Sequence, residues 1–132
     1  MNIQTSKKAI TILVVDDEDA ITGLMSAILT KEGYTVHIAG NGVDGVASAS
    51  QCKPDIIFMD ITMPDMDGYQ ATSQIKQNPA LKDIPIIFLS GKSASEDGGR
   101  SFATGGLTYM RKPFTSQQLR DMVTLTLMSI GK

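Results

Sequence analysis

Tryptophan is absent from this 132-residue chain, and cysteine occurs only once, as Cys52. A single cysteine excludes an intramolecular disulfide and a metal site of several cysteines, and it is typical of a reducing, cytoplasmic compartment. No apolar run approaches the roughly 18–20 residues that a membrane-spanning helix needs, and no apolar core of a secretory signal follows the polar first residues. The 14 acidic and 12 basic residues nearly balance. The sequence therefore lacks the basic field that attracts nucleic acid or an anionic membrane.

The composition is that of an ordinary globular domain. Apolar residues make up 42% of the chain and charged residues 20%, far from the low hydrophobicity that is typical of disordered proteins. A chain of this length buries about two thirds of its unfolded surface when it folds. We therefore expect one domain over residues 10–130, preceded by a flexible N-terminal lead of residues 1–9.

Three short apolar runs and two weaker ones predict five strands. The three strong runs are continuous rather than alternating, which is typical of strands that helices cover on both faces of a parallel sheet. In chain order the predicted strands cover residues 12–15, 34–39, 56–59, 84–89 and 107–111.

Apolar residues at helical spacing lie between these runs. The predicted helices cover residues 21–29, 44–50, 69–77, 94–104 and 119–130. Gly33 is placed to end the first helix, and Thr115 or Ser116 to cap the last. Gly98 and Gly99 weaken the fourth helix, since each costs roughly 1 kcal/mol relative to alanine. Five β-α repeats predict an α/β fold with a doubly wound parallel sheet and right-handed crossovers.

Carboxylate, hydroxyl and ammonium side chains lie at the ends of the predicted strands. Ligands of such sheets bind beyond the carboxyl ends of the strands, and these ends carry Asp16, Asp17, Asp60, Ser90 and Lys112. Adjacent carboxylates raise one another's pKa unless a cation intervenes, and Mg²⁺ prefers carboxylate, water and phosphate oxygens. A carboxylate nucleophile, a metal, a lysine and a hydroxyl are the groups needed to form and hold an aspartyl phosphate.

Four motifs around these residues resemble the receiver domain of two-component response regulators, and in particular the single-domain chemotaxis regulators. In chain order the motifs are Val14-Val15-Asp16-Asp17-Glu18, Met59-Asp60-Ile61-Thr62-Met63-Pro64-Asp65-Met66-Asp67-Gly68, Leu89-Ser90-Gly91 and Tyr109-Met110-Arg111-Lys112-Pro113-Phe114. The resemblance covers about residues 10–130. It implies a flavodoxin-like (βα)5 fold, with a five-stranded parallel sheet in the order 2-1-3-4-5 and helices on both faces.

The resemblance implies a phosphorylation site at Asp60 and a metal site beside it. Asp60 is the phosphoacceptor of the implied site. Asp17, Asp60 and the backbone carbonyl of Thr62 bind Mg²⁺ directly, and Asp16 acts mostly through water.

The other implied roles belong to the later strands. Lys112 pairs with the phosphoryl group, and Ser90 donates a hydrogen bond to one of its oxygens. Tyr109 is the aromatic switch, which swings inward when Ser90 moves toward the phosphoryl group. The peptide bond between Lys112 and Pro113 is expected to be cis, and Asn41-Gly42, Gly68 and Gly105 match turn positions of the family.

The resemblance also implies the partners. A sensor histidine kinase or a phosphotransfer protein supplies the phosphoryl group, and a downstream protein reads the face formed by the fourth helix, fifth strand and fifth helix. Only Gly131 and Lys132 follow the last predicted helix. We therefore expect output through protein contact by a monomer or weak dimer, without direct nucleic-acid or membrane binding. A segment cut from a longer regulator or a hybrid kinase would have the same sequence.

Two other functions fit parts of the pattern. A phosphatase of the haloacid dehalogenase type also uses an aspartate nucleophile, a hydroxyl, a lysine and Mg²⁺, but Asp17-Glu18-Asp19-Ala20-Ile21 lacks the Thr or Val that ends that class's first motif. A pseudo-receiver that only binds partners would have lost Asp60, Lys112 or the acid pair formed by Asp16 and Asp17. We therefore expect a phosphoacceptor signalling domain and not an enzyme that turns over a separate substrate.

Several noticeable residues have ordinary structural interpretations. Asp65 and Asp67 are predicted to be loop or turn residues, and His37 a partly exposed strand residue without a role as ligand. Cys52 is predicted to pack at a helix end. For Tyr109, packing in the strand without any switching remains an open alternative.

Overall fold

The computed structural model describes residues 9–91 and 105–132, which form five strands and four helices. The strands are β1 (Thr11–Val15), β2 (Thr35–Ala39), β3 (Ile56–Asp60), β4 (Ile86–Ser90) and β5 (Thr108–Arg111). The helices are α1 (Asp19–Lys31), α2 (Gly42–Cys52), α3 (Gly68–Gln77) and the C-terminal helix (Ser116–Ser129). The predicted fourth helix and almost all of the predicted N-terminal lead lie outside the described residues. None of the helices in the described ranges is long and apolar enough to cross a membrane.

The five strands form one parallel sheet in the order β2-β1-β3-β4-β5, which confirms the predicted fold. The direction of winding changes between β1 and β3, where this class of sheet binds its ligands. Val15 is level with Met59, and Asp60 is level with Leu89. The residues that follow β1, end β3 and end β4 therefore meet at one edge of the sheet.

The sheet carries a separate apolar layer on each face. Leu13 and Val15 point into the layer that α3 covers, whereas Ile12 and Val14 point into the layer of α1 and the C-terminal helix. Every residue of β3 and β4 is buried. The continuous apolar runs in the sequence exist because both faces of each central strand lose contact with water.

The sequence misplaces part of the apolar stripe of α1. Leu24 fits the predicted pattern but is 49% exposed, whereas the polar Thr22 is 5% exposed and joins Met25 and Leu29 on the inner side. The Thr22 hydroxyl donates to the Asp19 carbonyl at 3.2 Å. Threonine is tolerated inside because its hydroxyl is satisfied within the helix and its methyl group packs.

Helix ends agree with the predicted caps, with one extension. Thr115 accepts the backbone N–H of Gln118, whose side chain in turn accepts the backbone N–H of Thr115. Gly33 follows α1 with a φ of +95°. Asn41 accepts the Asp44 N–H at 2.8 Å, so α2 begins at Gly42, two residues before the predicted start.

Replacing Thr115 with alanine should lower the free energy of unfolding by about 1 kcal/mol, because the first turn of the C-terminal helix loses its cap. Thr124→Ala is the matched control, since Thr124 lies exposed inside the same helix and its change should stay within about 0.5 kcal/mol. Urea unfolding measures both. Equal losses in the two variants would contradict a stabilising role for the reciprocal hydrogen bonds between Thr115 and Gln118.

Candidate functional site

Three carboxylates meet at the carboxyl edge of the sheet. Asp16 and Asp17 follow β1, and Asp60 ends β3. One oxygen from each lies within 4.8 Å of the others. Asp16 and Asp60 are 1% and 4% exposed, whereas Asp17 faces solvent. The structure thus brings together the three acids that the sequence predicts for a metal site.

The only ammonium group paired with these acids in the described part of the chain belongs to Lys112, which follows β5. Its Nζ lies 2.8 Å from Asp16 Oδ2 and 3.3 Å from Asp60 Oδ1. The Lys112 backbone N–H donates to the Ser90 carbonyl at 2.7 Å, and the peptide bond to Pro113 is cis, as the resemblance implied. Lys112 therefore reaches Asp60 from two strands away and Asp16 from three strands away.

Glu18 is a fourth acid at this edge, and the sequence alone indicated no role for it. Its Oε1 lies 3.1 Å from Lys112 Nζ, and its backbone N–H donates to Asp16 Oδ1 at 2.9 Å. Asp16 is thus held by Glu18 on one oxygen and by Lys112 on the other. The position of Glu18 directly after Asp16 and Asp17 is the sequence signal that could have indicated its role. Only the fold shows that Lys112 comes within reach of Glu18.

Burial and crowding change the protonation of this cluster. Desolvation, reinforced by the charge of Asp16, raises the pKa of Asp60 from 3.8 to about 7, although Lys112 opposes the rise. Burial alone would lower the pKa of Lys112, but its hydrogen bond to Asp16 and the charge of Asp60 raise it above its ordinary value. Lys112 therefore stays positively charged, whereas Asp60 exchanges its proton near pH 7.

The loop between β3 and α3, residues 61–67, is tied closely to Asp60. The Ile61 N–H donates to the Leu89 carbonyl at 3.0 Å, and the Gly68 N–H donates to the Ile61 carbonyl at 2.8 Å. A Cβ at Gly68 would lie 2.2 Å from the Asp60 carbonyl oxygen, so only glycine fits there. Thr62 lies exposed in this loop, where its backbone is close in sequence to the acids.

Two loop acids have structural roles, as predicted. Asp67 caps α3 in a capping box with Gln70. Asp65 is exposed and adopts a positive φ of 69°, a conformation that aspartate tolerates better than most residues. His37 is exposed in β2, and Cys52 is half-buried at the end of α2, as the sequence predicted.

Ser90 and Tyr109 lie at the predicted strand positions. Ser90 is the buried last residue of β4, one place beyond the Leu89 that is level with Asp60. Tyr109 is half-buried in β5, level with Phe88, and packs against the apolar layer that α3 covers. Packing and switching both remain compatible with this position of Tyr109.

The donor set at this edge fits a hard divalent cation. It consists of carboxylate oxygens, two of them on buried residues, and burial together with the charge of Asp16 raises the pKa of Asp60 although Lys112 lies beside it. Mg²⁺ favours such oxygens and leaves room for water and phosphate in its octahedron. The same edge could hold a phosphoryl group between the cation and Lys112.

The Asp60→Asn variant should be more stable than the parent at pH 8 in the presence of a chelator, by roughly 2–4 kcal/mol. Folded Asp60 keeps its proton up to about pH 7, whereas the unfolded chain releases it near 3.8. The parent therefore loses stability as the pH rises between these values, and the advantage of the variant should shrink toward pH 4. Urea unfolding at several pH values tests this, and a pH-independent difference would contradict the raised pKa.

Comparison with known proteins places this site in a family. The family model of the response regulator receiver domain matches residues 12–124. Protein PilH of Pseudomonas aeruginosa is 37% identical over 116 residues, which cover 88% of this chain and 96% of PilH. The chain also matches transcriptional regulators such as TcrX of Mycobacterium tuberculosis, but spans only 46% of the length of that protein.

Solved structures agree with this fold. The chemotaxis protein CheY4 of Vibrio cholerae superimposes with a TM-score of 0.88 at 28% identity, covering 91% of this chain and all of CheY4 (100%). The receiver domain of the sensor histidine kinase PA1611 of Pseudomonas aeruginosa has a TM-score of 0.82 at 30% identity, with 95% and 100% coverage, and holds a magnesium ion in its active site cleft. The chain belongs to the receiver domain family of two-component response regulators, whose members are phosphorylation-dependent signalling domains, and it is similar to the single-domain chemotaxis type.

Proposed function

We propose that this receiver domain accepts a phosphoryl group on Asp60 from a histidine kinase or a phosphotransfer protein. The observation that carries the proposal is the clustering of three carboxylates within 4.8 Å beside the Lys112 ammonium group. The proposed Mg²⁺ ligands are Asp17, Asp60 and the backbone carbonyl of Thr62, with Asp16 acting mostly through water. Receiver domains bind Mg²⁺ at their acidic site, which supports this assignment.

The chemistry follows from the charges at the site. A carboxylate oxygen of Asp60 attacks phosphorus, the bond from phosphorus to the donor's nitrogen breaks, and the donor leaves with the bonding electron pair. Attack requires Asp60 to be ionised, yet burial and Asp16 raise its pKa to about 7. Bound Mg²⁺ supplies positive charge that favours the ionised carboxylate and offsets the phosphoryl oxygens.

Lys112 is the group that would change partners on phosphorylation. Its ammonium group is now shared among Asp16, Glu18 and Asp60. A phosphoryl group on Asp60 adds oxygens that compete for the same donor, and charge-assisted hydrogen bonds to phosphate are strong. The hydroxyl of Ser90 donates to a second phosphoryl oxygen in this proposal, and Tyr109 moves inward behind it.

The partner face would include β5 and the C-terminal helix. These elements enclose a groove of about 440 Å³ whose lining includes Tyr109, Met122 and Leu125. Leu125 and Met128 are 64% and 69% exposed on the same helix. An apolar surface beside the proposed switch residue suits a downstream protein whose affinity depends on the position of Tyr109.

Incubation with acetyl phosphate and Mg²⁺ should add one phosphoryl group to the protein, detected by intact mass. Asp60→Asn should abolish the gain, because the carboxylate nucleophile is lost while the side-chain shape is kept. Asp65→Asn is the matched control, since it removes an exposed loop acid five residues away, and it should be labelled like the parent. Labelling of Asp60→Asn would contradict the assignment, and sustained hydrolysis of p-nitrophenyl phosphate would support the phosphatase alternative instead.

Lys112→Ala should retain Mg²⁺ binding, because the carboxylates remain and a competing cation is gone. Addition of beryllofluoride, a phosphoryl mimic, should then no longer shift the amide resonances of Ser90 and Tyr109 as it does in the parent. Lys31→Ala, in the last turn of α1, is the control for charge alone. A shift pattern identical to the parent's would show that Lys112 does not couple the phosphoryl group to the switch residues.

A further inference from the structure

The start of α2 presses against the loop that follows the proposed phosphoacceptor. A Cβ at Gly42 would lie 2.8 Å from the Met66 carbonyl oxygen and 2.9 Å from Met66 Cγ. Nonbonded heavy atoms pack at roughly 3.5–4 Å, so a side chain larger than hydrogen cannot occupy this position without displacing the loop. Gly42 itself is buried by the contact.

Space, rather than backbone conformation, explains this glycine. The sequence placed Asn41-Gly42 at a turn, where glycine serves to reach a positive φ. The described glycines with a positive φ are Gly33, Gly105 and Gly131. Gly42 instead adopts helical geometry as the first residue of α2, so its missing side chain matters only for the approach of Met66.

The segment that runs from the end of β2 into α2 also contacts β1, the strand that precedes Asp16 and Asp17. The Asp16 N–H donates to the Ala39 carbonyl at 3.1 Å, three residues before Gly42. One turn along α2, a Cβ at Gly45 would lie 2.9 Å from Cγ1 of Val15, the residue before Asp16. The segment from Ala39 to Gly45 therefore contacts both halves of the site, the acid pair on one side and the 61–67 loop on the other.

Other contacts also hold the loop, since Ile61 and Met63, on either side of Thr62, are buried in the apolar layer that α3 covers. At its far end the Gly68 N–H bonds to the Ile61 carbonyl, and within it the Met66 N–H bonds to the Pro64 carbonyl at 2.8 Å. Asp65 holds a positive φ between them. The Met66–Gly42 contact joins this turn to α2, so it also restrains the stretch that contains Thr62.

We propose that Gly42 is a positioning residue for the Mg²⁺ site, acting through Met66 to set the distance between the Thr62 carbonyl and the acid pair. The inference rests on the proposed function, since it requires Mg²⁺ at this edge. A Cβ at residue 42 displaces Met66, the turn transmits the displacement toward Thr62, and a carbonyl ligand leaves its place. Residues that orient metal ligands typically change metal affinity by 10–100-fold when they are replaced.

The test compares Gly42→Ala with Gly40→Ala in the full chain. Gly40 lies two residues earlier in the same connection, and a Cβ there would meet nothing within 4 Å. Isothermal titration without a phosphodonor should show Mg²⁺ bound about 10-fold more weakly by Gly42→Ala, while Gly40→Ala stays within about twofold of the parent. The amide resonances of Thr62, Met63, Asp65 and Met66 should shift in Gly42→Ala before any metal is added, which a mere loss of stability would not produce.

The outcomes separate this inference from the proposed function. An unchanged Mg²⁺ affinity in folded Gly42→Ala, or an equal loss in Gly40→Ala, overturns the positioning role and leaves the proposed function intact. Absence of Mg²⁺ binding by the parent overturns both. If circular dichroism shows that Gly42→Ala does not fold, Met66→Ala decides. This variant removes Met66 Cγ, the side-chain atom that packs closest to Gly42, and keeps the carbonyl oxygen. Weaker Mg²⁺ binding then supports the positioning role, and parent-like binding overturns it.

Discussion

The burial of neighbouring carboxylates at the edge of the sheet, reinforced by their mutual repulsion and only partly offset by Lys112, is the constraint on which the rest of this structure depends. Burial disfavours the charged form of Asp60 and, together with the charge of Asp16, raises its pKa to about 7 even with Lys112 beside it. In water the acids would move apart. Here the hydrogen bonds of three adjacent strands hold their backbones in place.

The apolar core supplies the free energy that keeps this arrangement together. All five residues of β3 and all five of β4 are buried, and each fully buried aliphatic or aromatic side chain contributes about 1.5–3 kcal/mol. A stable sheet can therefore tolerate an unfavourable charge cluster at one edge. The unfavourable charge is also what makes the edge responsive, because a metal ion or a phosphoryl group changes its balance more than it would change that of a neutral site.

Those features that depend on local pattern could be predicted from the sequence. Continuous apolar runs located three of the strands and weaker patterns the other two. The residues at the ends of the strands indicated Asp16, Asp17, Asp60, Ser90 and Lys112 as the side chains at one edge. The strand order came from the resemblance, since apolar periodicity does not determine which strands are neighbours. The Thr115 cap was also predictable, because the capping residue and its partner lie three residues apart.

Features that depend on contacts between distant segments were not predictable. Glu18 reaches Lys112, 94 residues away in sequence, only because β1 and β5 end at the same edge. The exposure of Leu24 depends on how α1 is rotated about its axis against the sheet. The spacing of apolar residues predicts this rotation only to within one residue. Gly42 was noticed only as a turn position of the family, because its contact with Met66 is visible only once α2 and the 61–67 loop are packed together.

The most direct test of the account is the number of protons released when Mg²⁺ binds. Titration calorimetry at pH 7 in two buffers with different ionisation enthalpies measures this number. Because Asp60 has a pKa of about 7 in the metal-free protein and must be ionised to ligate the metal, Mg²⁺ binding should release about half a proton. Release should fall toward zero at pH 9 and be absent in Asp60→Asn. Binding without proton release at pH 7, or no binding at all, would contradict the claim that charge repulsion at this edge is relieved by a metal ion.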